Sequence, residues 1–129
     1  MPNATRPCFL LVDDDPTTEF FVKRALRKAD VDADLVYANG VQRALEVLRK
    51  RECTPEAVLL DIQMPGRNGF DFLDELQRES DLVDADTKVV MLTSSNNPDD
   101  RRRALGYPYV RDYFEKHLRP SDIPSLLAA

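Results

Sequence analysis

The sequence predicts an α/β domain: a doubly wound, five-stranded parallel sheet in the order 2-1-3-4-5, with helices on both faces. Three observations lead there. The runs Cys8-Phe9-Leu10-Leu11-Val12, Ala57-Val58-Leu59-Leu60 and Val89-Val90-Met91-Leu92 are apolar without alternation, as strands are when helices bury them on both sides. Two weaker segments, Asp34-Leu35-Val36-Tyr37 and Asp112-Tyr113-Phe114, are broken by polar residues and suit the edges. Helical periodicity fills the gaps, and strand–helix alternation repeated in this way closes into one parallel sheet through right-handed crossovers.

Taken in order, the first strand is followed by Asp15-Pro16, an N-cap acceptor with proline at the first helical position. Phe21, Val22, Ala25, Leu26 and Ala29 then recur on one face. After the second strand Val41, Ala44, Leu45 and Leu48 repeat the i, i+3, i+4, i+7 pattern. Residues 78–87 are polar and acidic, a helix end running into a surface loop. Asn97-Pro98 repeats the cap-and-proline device, but Asp99-Asp100-Arg101-Arg102-Arg103 makes a poorly amphipathic start, so a marginal, exposed helix is expected there. The last helix, residues 122–128, carries Pro124, which fits if Ser121 caps it and the proline lies in the first turn.

Composition bounds the function. A chain of 129 residues with 43% hydrophobic content supports one domain spanning 1–129, with a real core. Its 18 Lys plus Arg against 23 Asp plus Glu give a net charge of −5, which argues against nucleic acid as a partner. No apolar run approaches the roughly 20 residues of a membrane span, so no membrane insertion is expected. Cys8 and Cys53 are too few for a disulfide scaffold; both should lie at the end of the sheet opposite the acidic cluster, where a disulfide is geometrically conceivable but free thiols are expected, in a reducing, cytoplasmic setting. No glycine-rich phosphate loop is present.

Chemistry gathers at the carboxyl ends of the buried runs. The first enters Asp13-Asp14-Asp15, the second Asp61, the third Thr93-Ser94-Ser95, and in open parallel sheets ligands bind outside those ends. Converging carboxylates repel one another unless a cation joins them. Oxygen donors with room for water and a phosphate oxygen point to Mg²⁺. Lys116, after the fifth strand, adds a compact positive charge.

The motifs Leu11-Val12-Asp13-Asp14-Asp15-Pro16, Leu59-Leu60-Asp61-Ile62-Gln63-Met64-Pro65-Gly66-Arg67-Asn68-Gly69, Met91-Leu92-Thr93-Ser94-Ser95 and Tyr113-Phe114-Glu115-Lys116 resemble the response-regulator receiver domains of two-component signalling. Stand-alone receivers are the nearest likeness, with no effector domain expected and a flavodoxin-like fold implied. The resemblance implies that Asp61 is the phosphoacceptor, fed by a sensor histidine kinase, a phosphotransfer protein or a small phosphodonor. It implies Mg²⁺ ligation by Asp13 (mainly through water), Asp14, Asp61 and the Gln63 main-chain carbonyl. Thr93 and Lys116 would contact the phosphoryl oxygens, small Ser94 would leave access, and Gln63 and Ser95 would tune dephosphorylation. Tyr113 matches the family's switch aromatic, which implies a signalling surface around the fourth helix and fifth strand, read by a downstream protein; a homodimer stays open.

Two departures stand out. His117 follows Lys116 where the family usually has proline, often after a cis bond. A cis bond before a non-proline residue costs about 2.5–4 kcal/mol, so trans is expected here. The final helix is also short. Three plainer readings stand beside these: Gly69 as a tight-turn glycine, His117 as an exposed bystander, and the arginine run as a solvated face. Two alternatives of function remain: a haloacid-dehalogenase-type Mg²⁺ phosphatase with Asp13 as nucleophile, suggested by Asp13-Asp14-Asp15-Pro16-Thr17, and a pseudo-receiver that binds without phosphorylation. The first lacks the further acidic pair such enzymes carry, since only Asp122 follows Lys116.

Overall fold

A computed structural model describes residues 6–95 and 97–127. Five strands, β1 (Cys8–Val12), β2 (Asp34–Ala38), β3 (Ala57–Leu60), β4 (Lys88–Thr93) and β5 (Val110–Glu115), form one sheet. Their order is β2-β1-β3-β4-β5 and every adjacent pair is parallel, as the sequence predicts. The helices are α1 (Pro16–Lys28), α2 (Val41–Arg49), α3 (Gly69–Arg78), α4 (Pro98–Leu105) and α5 (Ile123–Leu127), the last preceded by a 3₁₀ turn at Pro120–Asp122.

The unbroken apolar runs have a direct cause. Successive side chains of a strand point to opposite faces, and here both faces are cores. Leu10, Val12, Val58, Leu60, Val89 and Met91 pack with Leu45 of α2 and Phe72 and Leu73 of α3. Phe9, Leu11, Leu59, Val90 and Leu92 pack on the other side with Val22 and Leu26 of α1 and Ile123 and Leu126 of α5. The edge strands β2 and β5 are only partly covered, which is why their sequences are broken by polar residues.

Register brings the strand ends level. Val12 pairs with Leu60, and Leu60 with Met91. Backbone bonds then carry the ladder one residue further: Asp13 N–H donates to Ala38 O (3.1 Å), Asp61 N–H to Val12 O (3.0 Å), and Lys116 N–H to Thr93 O (3.1 Å). Asp15 caps α1 by accepting from Thr17 N–H, and Asn97 caps α4 by accepting from Asp99 N–H, both at 2.9 Å. A reciprocal cap of Asn68 and Asp71 starts α3. As expected, α4 is mostly exposed; it buries Ala104 alone.

Three expectations need correction. The Lys116–His117 peptide is cis, not trans. Its surroundings outweigh the general preference: Lys116 N–H is fixed on Thr93, the Lys116 ammonium reaches back to Asp13, and the His117 ring stacks on Phe21 at 4.0 Å. Ser121 does not cap the last helix, because the Asp122 carboxylate accepts from Arg119 N–H (3.0 Å) and opens a 3₁₀ turn instead. Pro124 does sit in the first turn of α5, while Ala128 lies outside the described residues. Finally, the arginine run is exposed but not merely solvated: Arg101 lies over the Tyr113 ring and Arg103 over Phe70, at 5.4 and 4.0 Å from the centroids.

Candidate functional site

The ends of β1 and β3 deliver three carboxylates to one point. Asp13 and Asp61 are 0% and 4% exposed, Asp14 is exposed, and one oxygen from each lies within 4.8 Å of the others. Lys116, arriving from β5, places Nζ 2.7 Å from Asp13 Oδ2 and 3.2 Å from Asp61 Oδ2. The first contact is an ion pair without hydrogen-bond alignment, so Asp13 Oδ2 stays unsatisfied, as does Asp61 Oδ1. Asp13 Oδ1 accepts from Asp15 N–H at 2.9 Å, which fixes the side chain.

The electrostatics follow from burial. Desolvation raises the Asp61 pKa, and the Asp13 charge adds to it, while Lys116 pulls it back. For Lys116 burial alone would lower the pKa, but pairing with Asp13 and the charges of Asp61 and Asp13 leave it raised. Two buried carboxylates sharing one ammonium still carry uncompensated negative charge. Orphaned, buried Asp61 Oδ1 beside two further carboxylates is a donor set that fits a hard divalent cation such as Mg²⁺. Gln63 follows two residues after Asp61, its side chain exposed.

The hydroxyl side is built from β4 and β5. Thr93 is 1% exposed, and its Oγ1 accepts from Ser95 N–H (3.2 Å), while its hydroxyl also pulls the Asp61 pKa down. Ser94 is exposed. Tyr113 is buried and its hydroxyl donates to Ser95 O at 3.1 Å. Ser95 Oγ in turn donates to Asp100 Oδ2 at 2.8 Å, on α4.

The structure thus brings Asp13, Asp14, Asp61, Thr93 and Lys116 together, with Tyr113 joined to Ser95 beside Thr93. His117 is exposed and stacked on Phe21.

Sequence reasoning missed Asp100 and Arg101, which hold Ser95 and Tyr113. The only signal was their position in the first turns of a helix capped just beyond Ser95. Gly69 was also misread. The left-handed residue of its loop is Gly66, at φ +76°, whereas Gly69 is needed because a Cβ there would lie 2.4 Å from the Asp61 carbonyl oxygen. Its N–H donates to Ile62 O at 2.8 Å, pressing the start of α3 against the acidic loop.

Known proteins agree with this geometry. The family described as the response regulator receiver domain matches residues 9–128. The transcriptional regulatory protein MalR of Bacillus subtilis is 34% identical over 83% of this chain and 43% of its own length. The two-component response regulator ORR3 of Oryza sativa is 32% identical over 93% of this chain and 87% of its own. This chain therefore spans less than half of MalR but most of ORR3. Among solved structures, a two-component response regulator from Cytophaga hutchinsonii superimposes with a TM-score of 0.84 at 25% identity, covering 95% of this chain and 94% of that one. Four motifs folded onto one sheet end, and a family match over nearly the whole length, make this chain a member of the response regulator receiver domain family.

Proposed function

We propose that residues 1–129 act as one cytoplasmic receiver that takes a phosphoryl group onto Asp61, with Mg²⁺ held by Asp13, Asp14, Asp61 and the Gln63 main-chain carbonyl. The observation that carries this reading is Asp61 itself: a buried carboxylate with one oxygen unpartnered and the other facing a lysine at 3.2 Å. When bound, the cation would neutralise the carboxylates and the phosphoryl oxygens.

An Asp61 oxygen attacks phosphorus as the P–N bond of a phosphohistidine breaks, and the bonding pair leaves with the imidazole, which takes up a proton. Lys116 then pairs with one phosphoryl oxygen. Thr93 turns its hydroxyl towards another, giving up the Ser95 N–H, and exposed Ser94 leaves the approach open. Because Ser95 bonds to Thr93 and also to Tyr113 and Asp100, that movement is passed to α4 and β5, where a downstream protein or a second copy reads it. Gln63 and Ser95 set the lifetime of the modified state, Ser95 with its hydroxyl held by Asp100. The donor is a sensor histidine kinase, a phosphotransfer protein or a small phosphodonor.

The reading in which Asp13 is a phosphatase nucleophile gains nothing from the geometry, since one Asp13 oxygen holds Asp15 N–H and the other faces Lys116. Acetyl phosphate or phosphoramidate, with Mg²⁺ or EDTA and intact-mass readout, tests the proposal. One added phosphoryl group is expected with Mg²⁺, none with EDTA, and none in Asp61→Asn. No adduct with any competent donor would favour the pseudo-receiver.

A further inference from the structure

The opposite end of the sheet holds two sulfurs that the acidic site does not use. Cys8 opens β1 and is half-buried, whereas Cys53, four residues before β3, is buried. Glu56 N–H donates to Cys8 O at 2.9 Å, which lays the segment carrying Cys53 against the foot of β1. Cys53 belongs to the core cluster on which Cys8 packs. Both thiols line one open cavity of about 360 Å³, together with Arg6, Asp34 and Arg51.

We propose that Cys8 and Cys53 form a redox-active dithiol that reacts with a peroxide and closes into an intrachain disulfide. The asymmetry of the pair assigns the roles. Cys8 is the sulfur that solvent reaches, and the S–H of Cys53 stabilises its thiolate, drawing the Cys8 pKa down while that of Cys53 rises. Cys8 thiolate attacks one oxygen of hydrogen peroxide; an S–O bond forms, the O–O bond breaks, and the departing hydroxide takes a proton to leave as water. Cys53 sulfur then attacks the Cys8 sulfenic sulfur; the S–S bond forms, the S–O bond breaks, and the second oxygen leaves as water with the Cys53 proton. Two thiols and one peroxide give one disulfide and two waters, with sulfur oxidised and peroxide reduced. The bond would tie the foot of β1 to the segment entering β3, the two strands that carry Asp13 and Asp61 at their far ends.

The test needs no phosphoryl transfer, so its outcome is separate from that of the acidic site. The full chain is exposed to hydrogen peroxide, quenched, denatured and alkylated, then weighed and mapped by peptides. The expected result is a monomer lighter by two hydrogens, with both cysteines protected until dithiothreitol restores them. Cys53→Ser should leave Cys8 as a sulfenic acid trapped by dimedone, and Cys8→Ser should slow oxidation of Cys53 by roughly tenfold or more. Cysteines that both remain alkylatable, a disulfide between two chains, or Cys8 driven to sulfinic acid with Cys53 still free would each overturn the proposal. The wild-type peptide map decides the matter even if a serine variant fails to fold.

Discussion

On the β1–β3 side, α2 and α3 each bury five residues against the sheet. On the β4–β5 side, α4 buries Ala104 alone and keeps its place through surface contacts: Arg101 on Tyr113, Arg103 on Phe70 and Asp100 on Ser95. The first side carries the carboxylates, the second the hydroxyl and the aromatic. The candidate cation ligands stand on closely packed strands, and the candidate switch residues stand beneath a lightly held helix. The two sides are joined near their rim by two tyrosines of the α4–β5 loop, with Tyr107 donating to Asp74 (2.7 Å) and Tyr109 to Leu73 O (2.5 Å), both on α3.

The contrast can be broken most sharply in the cores. Phe72→Ala, at a fully buried position, is expected to cost about 3–5 kcal/mol in urea unfolding, while Leu105→Ala on α4, 42% exposed, should stay within about 0.5 kcal/mol. Similar costs at both sites would remove the distinction. Next comes Gly69→Ala, whose Cβ would collide with the Asp61 carbonyl. It should destabilise by about 1–3 kcal/mol and slow phosphoryl uptake, whereas Gly106→Ala on the lighter side, with its nearest neighbour at 3.3 Å, should lose less than Gly69→Ala in the same melt.

A pH series probes the tie between the sides. Burial raises the Tyr109 hydroxyl from 10.0 to about 12, so the folded state favours the neutral form. That stability is whole below the unfolded value near 10.0 and is lost as pH rises towards about 12. Alkaline denaturation should therefore lose part of its steepness in Tyr109→Phe, and an unchanged profile would show that the tie carries no weight. A small loss is expected for Arg101→Ala, about 0.5–1 kcal/mol for an exposed cation–π contact, read as faster amide exchange confined to α4 and the start of β5.

Much of this was legible in the sequence because the strongest signals are local. Three uninterrupted apolar runs need two cores, and a lone Asp61 at the end of one of them has no structural partner in its own segment. What was hidden depends on chain segments distant in sequence. The cis bond after Lys116 is set by Thr93, Asp13 and Phe21, none of them its neighbours. Gly69 looks like a turn residue until the Asp61 carbonyl is placed against it. Arg101 and Arg103 read as solvated charge because their aromatic partners, Tyr113 and Phe70, lie on other elements. The neighbouring thiols are a middle case: the strand pattern put both at one end of the sheet, but only the fold put them on one cavity wall.

The single buried methyl group of Ala104 also sets a clock. A segment held by so little apolar contact opens by itself, at a free energy well below that of unfolding the whole chain. Amides of α4 should then exchange through brief local excursions, and those of α2 and α3 only as the entire molecule comes apart. A change at Asp61 would thus act on an element already sampling its alternatives, biasing how long each is occupied.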